Sequence, residues 1–165
     1  MMVRARRMFF ALAGLAVVVL VLGVMTYVRL APVTSDDWHR PIPYRVSGAG
    51  SALIPVCGPD AVVASIGSAR TVCRVEGKPS EILTRLQQIA LGTARTRLVA
   101  GSVADGRMTF ETRSLIWGFP DYTTVEVSAL AAGTRLAVFA RLRFGKADLG
   151  VNAARLRACL SALGG

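Results

Sequence analysis

From Met8 to Val28 the chain carries no charged residue, an apolar run of about 21 residues that cannot share a core with the rest of a small domain. At about 1.5 Å per helical residue such a run matches the roughly 30 Å hydrocarbon thickness of a bilayer. Arg4, Arg6 and Arg7 precede it, and only Arg29 follows closely. The bias of basic residues predicts a single-pass anchor with the N-terminus in the cytoplasm and everything after residue 30 across the membrane. The alternative is a cleavable signal peptide. Against it stand the length of the apolar stretch and the Thr26-Tyr27-Val28 end, which lacks a small-x-small cleavage pattern.

The anchor separates the chain into three parts: residues 1–30, a linker over 31–59, and a domain over 60–165. Pro32, Pro41, Pro43, Pro55, Pro59 and the Ser-Gly-Ala-Gly-Ser run from Ser47 give the linker a composition that builds no core of its own. Trp38 and His39 lie soon after the membrane exit, where an indole suits the headgroup layer. His39, the only histidine, is expected to be solvated. Formal charge is +10, of which the anchor region's four arginines are part, leaving about +6 beyond it. Eighteen of the twenty basic residues are arginines, spread without a run, so no clustered face for nucleic acid is expected. Attraction to anionic lipid remains compatible with this charge.

Within the domain the hydrophobic period sets the elements. Pro79 to Leu91 has Ile82, Leu83, Leu86, Ile89 and Ala90 at helical spacing, with Pro79 suited to the first turn and Gly92 to the stop. Arg97–Ala104 and Arg107–Ile116 flank Asp105-Gly106, a hairpin signal that predicts Val103 opposite Met108 and Gly101 opposite Phe110. Tyr122–Leu130 and Arg135–Phe144 form a second hairpin, with Val127 expected opposite Val138 and Val125 opposite Ala140. Val62, Val63, Ile66, Val72 and Val75 suggest one or two short strands before the first helix. The last helix follows Gly145, Asp148 and Gly150, with Asn152 expected as its cap and Val151 and Leu156 as a hydrophobic staple. Leu156, Leu160 and Leu163 line its inner stripe. These elements predict an α+β fold in two layers, an antiparallel meander of about four to five strands packed by two helices.

The Arg143-x-Gly145-x-x-Asp148-Leu149-Gly150-Val151-Asn152 turn, together with Arg113-Ser114-x-x-Trp117-Gly118-Phe119-x-Asp121 and Val125, resembles the signatures of a bacterial and plastid family, domain of unknown function family 1499. The resemblance covers roughly Pro79 to Leu163, with departures at Ala140, Leu142, Ala147 and Ala153. It implies an architecture and no activity. As a membrane-anchored bacterial member, the chain is expected in the inner membrane, with its domain on the periplasmic or extracellular side.

Three cysteines bear on an exported domain. Cys57 and Cys73 can close a loop of about 17 residues, worth roughly 3 kcal/mol in the chain-entropy account, while Cys159 beside the apolar stripe is expected to pack as a small hydrophobe. The odd count leaves other pairings open. The sheet face opposite the helices would carry Arg107, Glu111, Arg113, Tyr122, Thr124, Glu126, Phe139, Arg141 and Arg143, with Glu126 diagonal to Arg141. Arg113, Trp117, Tyr122, Glu126, Arg141 and Arg143 are therefore the candidate docking residues, and Gly145, Asp148, Gly150 and Asn152 the structural turn. No nucleophile-and-base pair or paired metal ligands stand at a known spacing, so neither catalysis nor a cofactor is expected. Two functions remain: a membrane-tethered module that docks an envelope protein or lipid through the sheet or its corner, and a carrier holding an apolar ligand between sheet and helices.

Overall fold

A computed structural model describes residues 2–43 and 54–164; the Ser47–Ser51 run lies outside the described residues. Helix α1 spans Met2–Leu30 and is long and apolar enough to cross a membrane. A single turn, α2, follows at Ser35–Trp38. The domain then runs β1 (Val63–Ser65), β2 (Ser68–Val75), α3 (Pro79–Gly92), β3 (Thr96–Ser102), β4 (Arg107–Arg113), β5 (Pro120–Ala129), β6 (Thr134–Leu142) and α4 (Val151–Gly164).

The strands form one antiparallel sheet of six, in the order β1-β2-β6-β5-β4-β3. β3 to β6 are the expected meander. The β1-β2 hairpin adds to the free edge of β6, and α3 crosses one face to start β3 at the far edge. Alternation puts Met108 and Phe110, Val125, Leu136, Val138 and Ala140, and Ala69 and Cys73 on that face. Ile82, Leu83 and Leu86 of α3 and Ala153, Leu156, Leu160 and Leu163 of α4 close over them. Each such side chain, all at 8% exposure or less, contributes about 1.5–3 kcal/mol of transfer free energy for the larger aliphatics.

Both predicted registers shift. Val125 faces Val138 and Val127 faces Leu136, a displacement of two that leaves the buried face unchanged. In the first hairpin Gly101 faces Met108 and Leu98 faces Phe110, with a bulge between Leu98 and Ala100. The Asp105-Gly106 pair therefore sits in the longer loop after Ser102, closed by Gly106 N–H donating to the Val103 carbonyl at 3.2 Å. β4 ends at Arg113, not Ile116. Beyond it the Ser114 carbonyl accepts from Gly118 N–H and its hydroxyl from Phe119 N–H, which folds Ser114–Phe119 into a tight corner.

The cap of α4 also differs. Asp148, not Asn152, accepts the free N–H groups, from Gly150 at 3.1 Å and from Asn152 at 2.9 Å. Leu149 and Gly150 both take positive φ, 53° and 83°, so the helix begins at Val151 and Asn152 falls inside its first turn. Val151, expected as the staple partner of the buried Leu156, is 51% exposed. Partial burial pushes the Asp148 carboxyl up, but the N–H donations from Asn152 and Gly150 outweigh it and hold the group below its ordinary value of 3.8. A depressed carboxyl stabilises the fold above its unfolded pKa, and that contribution disappears as pH falls through the lower, folded value. Asp148→Ala should cost about 0.5–2 kcal/mol at neutral pH, as lost N-caps do. The deficit, followed by denaturant titration, should shrink as pH falls below the ordinary carboxyl value of 3.8 and Asp148 protonates in the folded protein; a deficit constant with pH would mean the charge is not what caps the helix.

Candidate functional site

The sheet face away from the helices is not open. Residues 28–43 return from the end of α1 and lie across it as a strap. The Trp38 ring stacks on Tyr122 at 4.0 Å between centroids, and its carbonyl accepts from Arg141 at 2.7 Å and from the Thr124 hydroxyl at 3.2 Å. The Arg141 guanidinium lies over the rings of Trp38 and Phe139. His39 is half-buried, not solvated, with Nδ1 3.0 Å from the Thr109 hydroxyl. It fits because Gly101 has φ 86° and no side chain: a Cβ there would stand 2.7 Å from His39 Cε1. Ile42 N–H donates to Glu126 at 3.0 Å. The described first part of the segment expected to be a tether, up to residue 43, is thus held against the domain, and Trp38 sits on the sheet.

Each candidate docking residue has a structural partner. Tyr122 is fully buried, and its hydroxyl donates to Glu111, itself 1% exposed, at 3.3 Å. Glu111 also accepts from Arg97 at 2.8 Å and from Arg113. Burial, reinforced by the Glu111 charge, holds the Tyr122 phenol above its ordinary value, so it stays a donor. Arg113 reaches further, to the carbonyls of Gly118 at 3.1 Å and Val28 at 3.4 Å. Arg143 donates to the Pro32 carbonyl at 2.9 Å. Glu126 pairs with Arg107 at 2.6 Å instead of the expected Arg141, because the register places Arg107 directly opposite it. Of the six, only Trp117 keeps a substantially exposed side chain, 43%, stacked on Phe119.

Between the sheet and the two helices lies a cavity of about 270 Å³. Phe110, Val125, Val138, Leu86 and Leu156 form its buried floor; Thr93, Thr96, Arg155 and Ala158 form its outer wall. The inward row of β4 and β5 is not apolar throughout: Thr112 and Thr123 stand where valines would fill the space. Thr112 bonds Thr96 at 2.8 Å, whereas the buried Thr123 hydroxyl has no partner. Arg155 pairs with Asp121 at 3.3 Å and donates to the Asn152 side-chain carbonyl at 2.8 Å, leaving the buried Asn152 Nδ2 unpartnered. Burial raises the Asp121 carboxyl against the opposing pull of Arg155. A last helix of about a dozen residues does not by its length suggest a roomy cavity. Small residues at Ala90, Ala158 and the four threonines create one anyway. Thr112 and Thr123 on an inward face were its legible sign.

Cys57 and Cys73 are joined as a disulfide. Cys159 is half-buried beside the cavity, where burial pushes its thiol up to about 11. Among the described residues no group of three His, Cys, Asp or Glu side chains is placed to hold a metal ion.

An antiparallel sheet covered on one face by two helices, carried behind an N-terminal helix long and apolar enough to cross a membrane, defines the class as an α+β domain. The chain belongs to the DUF1499 family, described as a protein of unknown function, whose model matches residues 59–163. The match begins twenty residues before the expected start and takes in both strands of the β1-β2 hairpin. Among curated proteins none matches the chain.

Proposed function

We propose that this chain is a membrane-tethered envelope protein whose exported domain binds an apolar or amphiphilic ligand in the cavity between its sheet and α3 and α4. The cavity carries the reading: it has an apolar floor, a polar wall and a buried Thr123 hydroxyl with no protein partner. Ligand pockets combine a mostly hydrophobic lining with a few placed polar groups. Docking of a protein through the opposite sheet face has less support, because the strap already covers Tyr122, Glu126 and Arg141. The disulfide supports an oxidising compartment for the domain, while the length of the uncharged run in α1 and the arginines before it support an uncleaved anchor crossing the inner membrane with the N-terminus inside.

Filling the cavity tests this. Ala90→Phe and Ala158→Phe place a ring at two lining positions. Titration of the full chain with a fluorescent fatty acid should show saturable binding, weakened at least about tenfold in either variant, equivalent to about 1.4 kcal/mol. Thermal unfolding should be unchanged or raised. Equal binding by all three proteins would remove the cavity as the site.

A further inference from the structure

The exposed apolar side chains beyond α1 are unevenly placed. The β1-β2 turn, the β4-β5 corner and the β6-α4 loop all lie at one end of the sheet, as the pairing of Ser68 with Arg141 and of Arg113 with Pro120 requires. Ile66 at 84% exposure, Leu115 at 71%, Ile116 at 67% and Leu149 at 95% occupy these turns, with Trp117 beside them. At the opposite end the loops 76–78, 103–106 and 130–133 contribute no exposed large hydrophobic residue, and Val56, 66% exposed and bridged to Arg74, stands near them without the cluster seen at the first end. Exposed apolar residues clustered on a basic surface mark an interaction site more than scattered ones do.

The same end receives α1. Arg29 is the first charge after the uncharged run, so it marks where the helix leaves hydrocarbon. It donates to the Ile116 carbonyl at 3.4 Å, and its side chain packs against Gly118, where a Cβ would stand 3.0 Å from Arg29 Nε. Arg113 and Arg143 bind the carbonyls of Val28 and Pro32. The β4-β5 corner is therefore held within a side chain's length of the membrane boundary. Trp117 has the amphipathic ring that favours that layer, and Arg95 and Lys146, both exposed, supply charge for anionic headgroups. The outer wall of the cavity lies at this end too: Thr96 and Thr112 pair with each other, and Thr112 is two residues, roughly 7 Å, before the corner.

We propose that this end of the domain sits in the headgroup and upper acyl layer of the bilayer that α1 crosses, and that the cavity takes an acyl chain drawn directly from that bilayer. The inference rests on α1 spanning the membrane and on the cavity as the ligand site. Three measurements on the full chain in phosphatidylcholine and phosphatidylglycerol vesicles separate these. Resistance to alkaline extraction reports on the span alone. Lipid brominated near the headgroup end of its chains should quench a tryptophan component that disappears in Trp117→Phe and in the Leu115→Asp, Ile116→Asp, Leu149→Asp triple variant, all exposed positions. A photoactivatable acyl chain should label peptides of α3 or α4, and the labelling should fall with the triple variant. Extraction at alkaline pH would overturn the span and the docking with it. An inserted chain whose Trp117 is not quenched would overturn the docking alone. Quenching without label on α3 or α4 would overturn the bilayer as the ligand's source.

Discussion

Glu111→Ala should destabilise the domain by about 3–5 kcal/mol, the range for removing one partner of a buried ion pair. Glu111 is the shared acceptor for Arg97, Arg113 and the Tyr122 hydroxyl, and only 1% of its side chain is exposed. Without it a buried phenol loses its acceptor and Arg113, 24% exposed, keeps a charge with only carbonyls to meet it. The consequence extends to the strap, since Tyr122 is the surface on which Trp38 stacks. Glu111→Gln retains an acceptor and should cost less. Denaturation of the full chain in detergent, followed by tryptophan emission, reads both the stability and the release of Trp38. A loss below about 1 kcal/mol, the level of solvated surface pairs, would show that the network is open to water and that the face is available for docking after all.

The sequence could not show that cover. Period-two alternation sorts Arg113, Glu111, Tyr122 and Arg141 onto one face, and such a face is ordinarily solvated. What buries it comes from Trp38 and His39, some 70 to 103 residues upstream, in a proline-rich stretch with no period of its own. By contrast α3 was legible almost to the residue, because Ile82, Leu83, Leu86 and Ile89 repeat at helical spacing and Gly92 closes the helix. The faces of β4, β5 and β6 were legible, but their registers were not. A slip of two returns every side chain to the same side, so burial patterns cannot detect it. The α4 cap offered two Asx residues four apart. Leu149 in the left-handed region lengthens the turn, and this selects Asp148 over Asn152.

Reducing the Cys57–Cys73 disulfide should cost roughly 3 kcal/mol, because the bridge closes a loop over a sequence separation of 16. It ties the 55–62 segment to β2, where Cys57 N–H donates to the Arg74 carbonyl at 2.9 Å and Arg74 N–H to Pro55 at 2.7 Å. Those bonds remain after reduction, so the native state changes little and the loss comes from a freer unfolded chain. Cys159 is a poor exchange partner, its thiol being pushed up to about 11. The Cys57→Ala, Cys73→Ala double variant removes the bridge and also the packing of Cys73, which is fully buried among Leu136 and the helices, and should lose about 1 kcal/mol more. Comparing the two in urea assigns the cause. If the bridge acts on the unfolded state, reduced wild type should show a steeper denaturant dependence as well as a lower midpoint, since the slope tracks the surface exposed on unfolding. Superimposable curves for the oxidised and reduced protein would mean that the 55–62 segment is held by its hydrogen bonds alone and that the disulfide adds nothing to the fold.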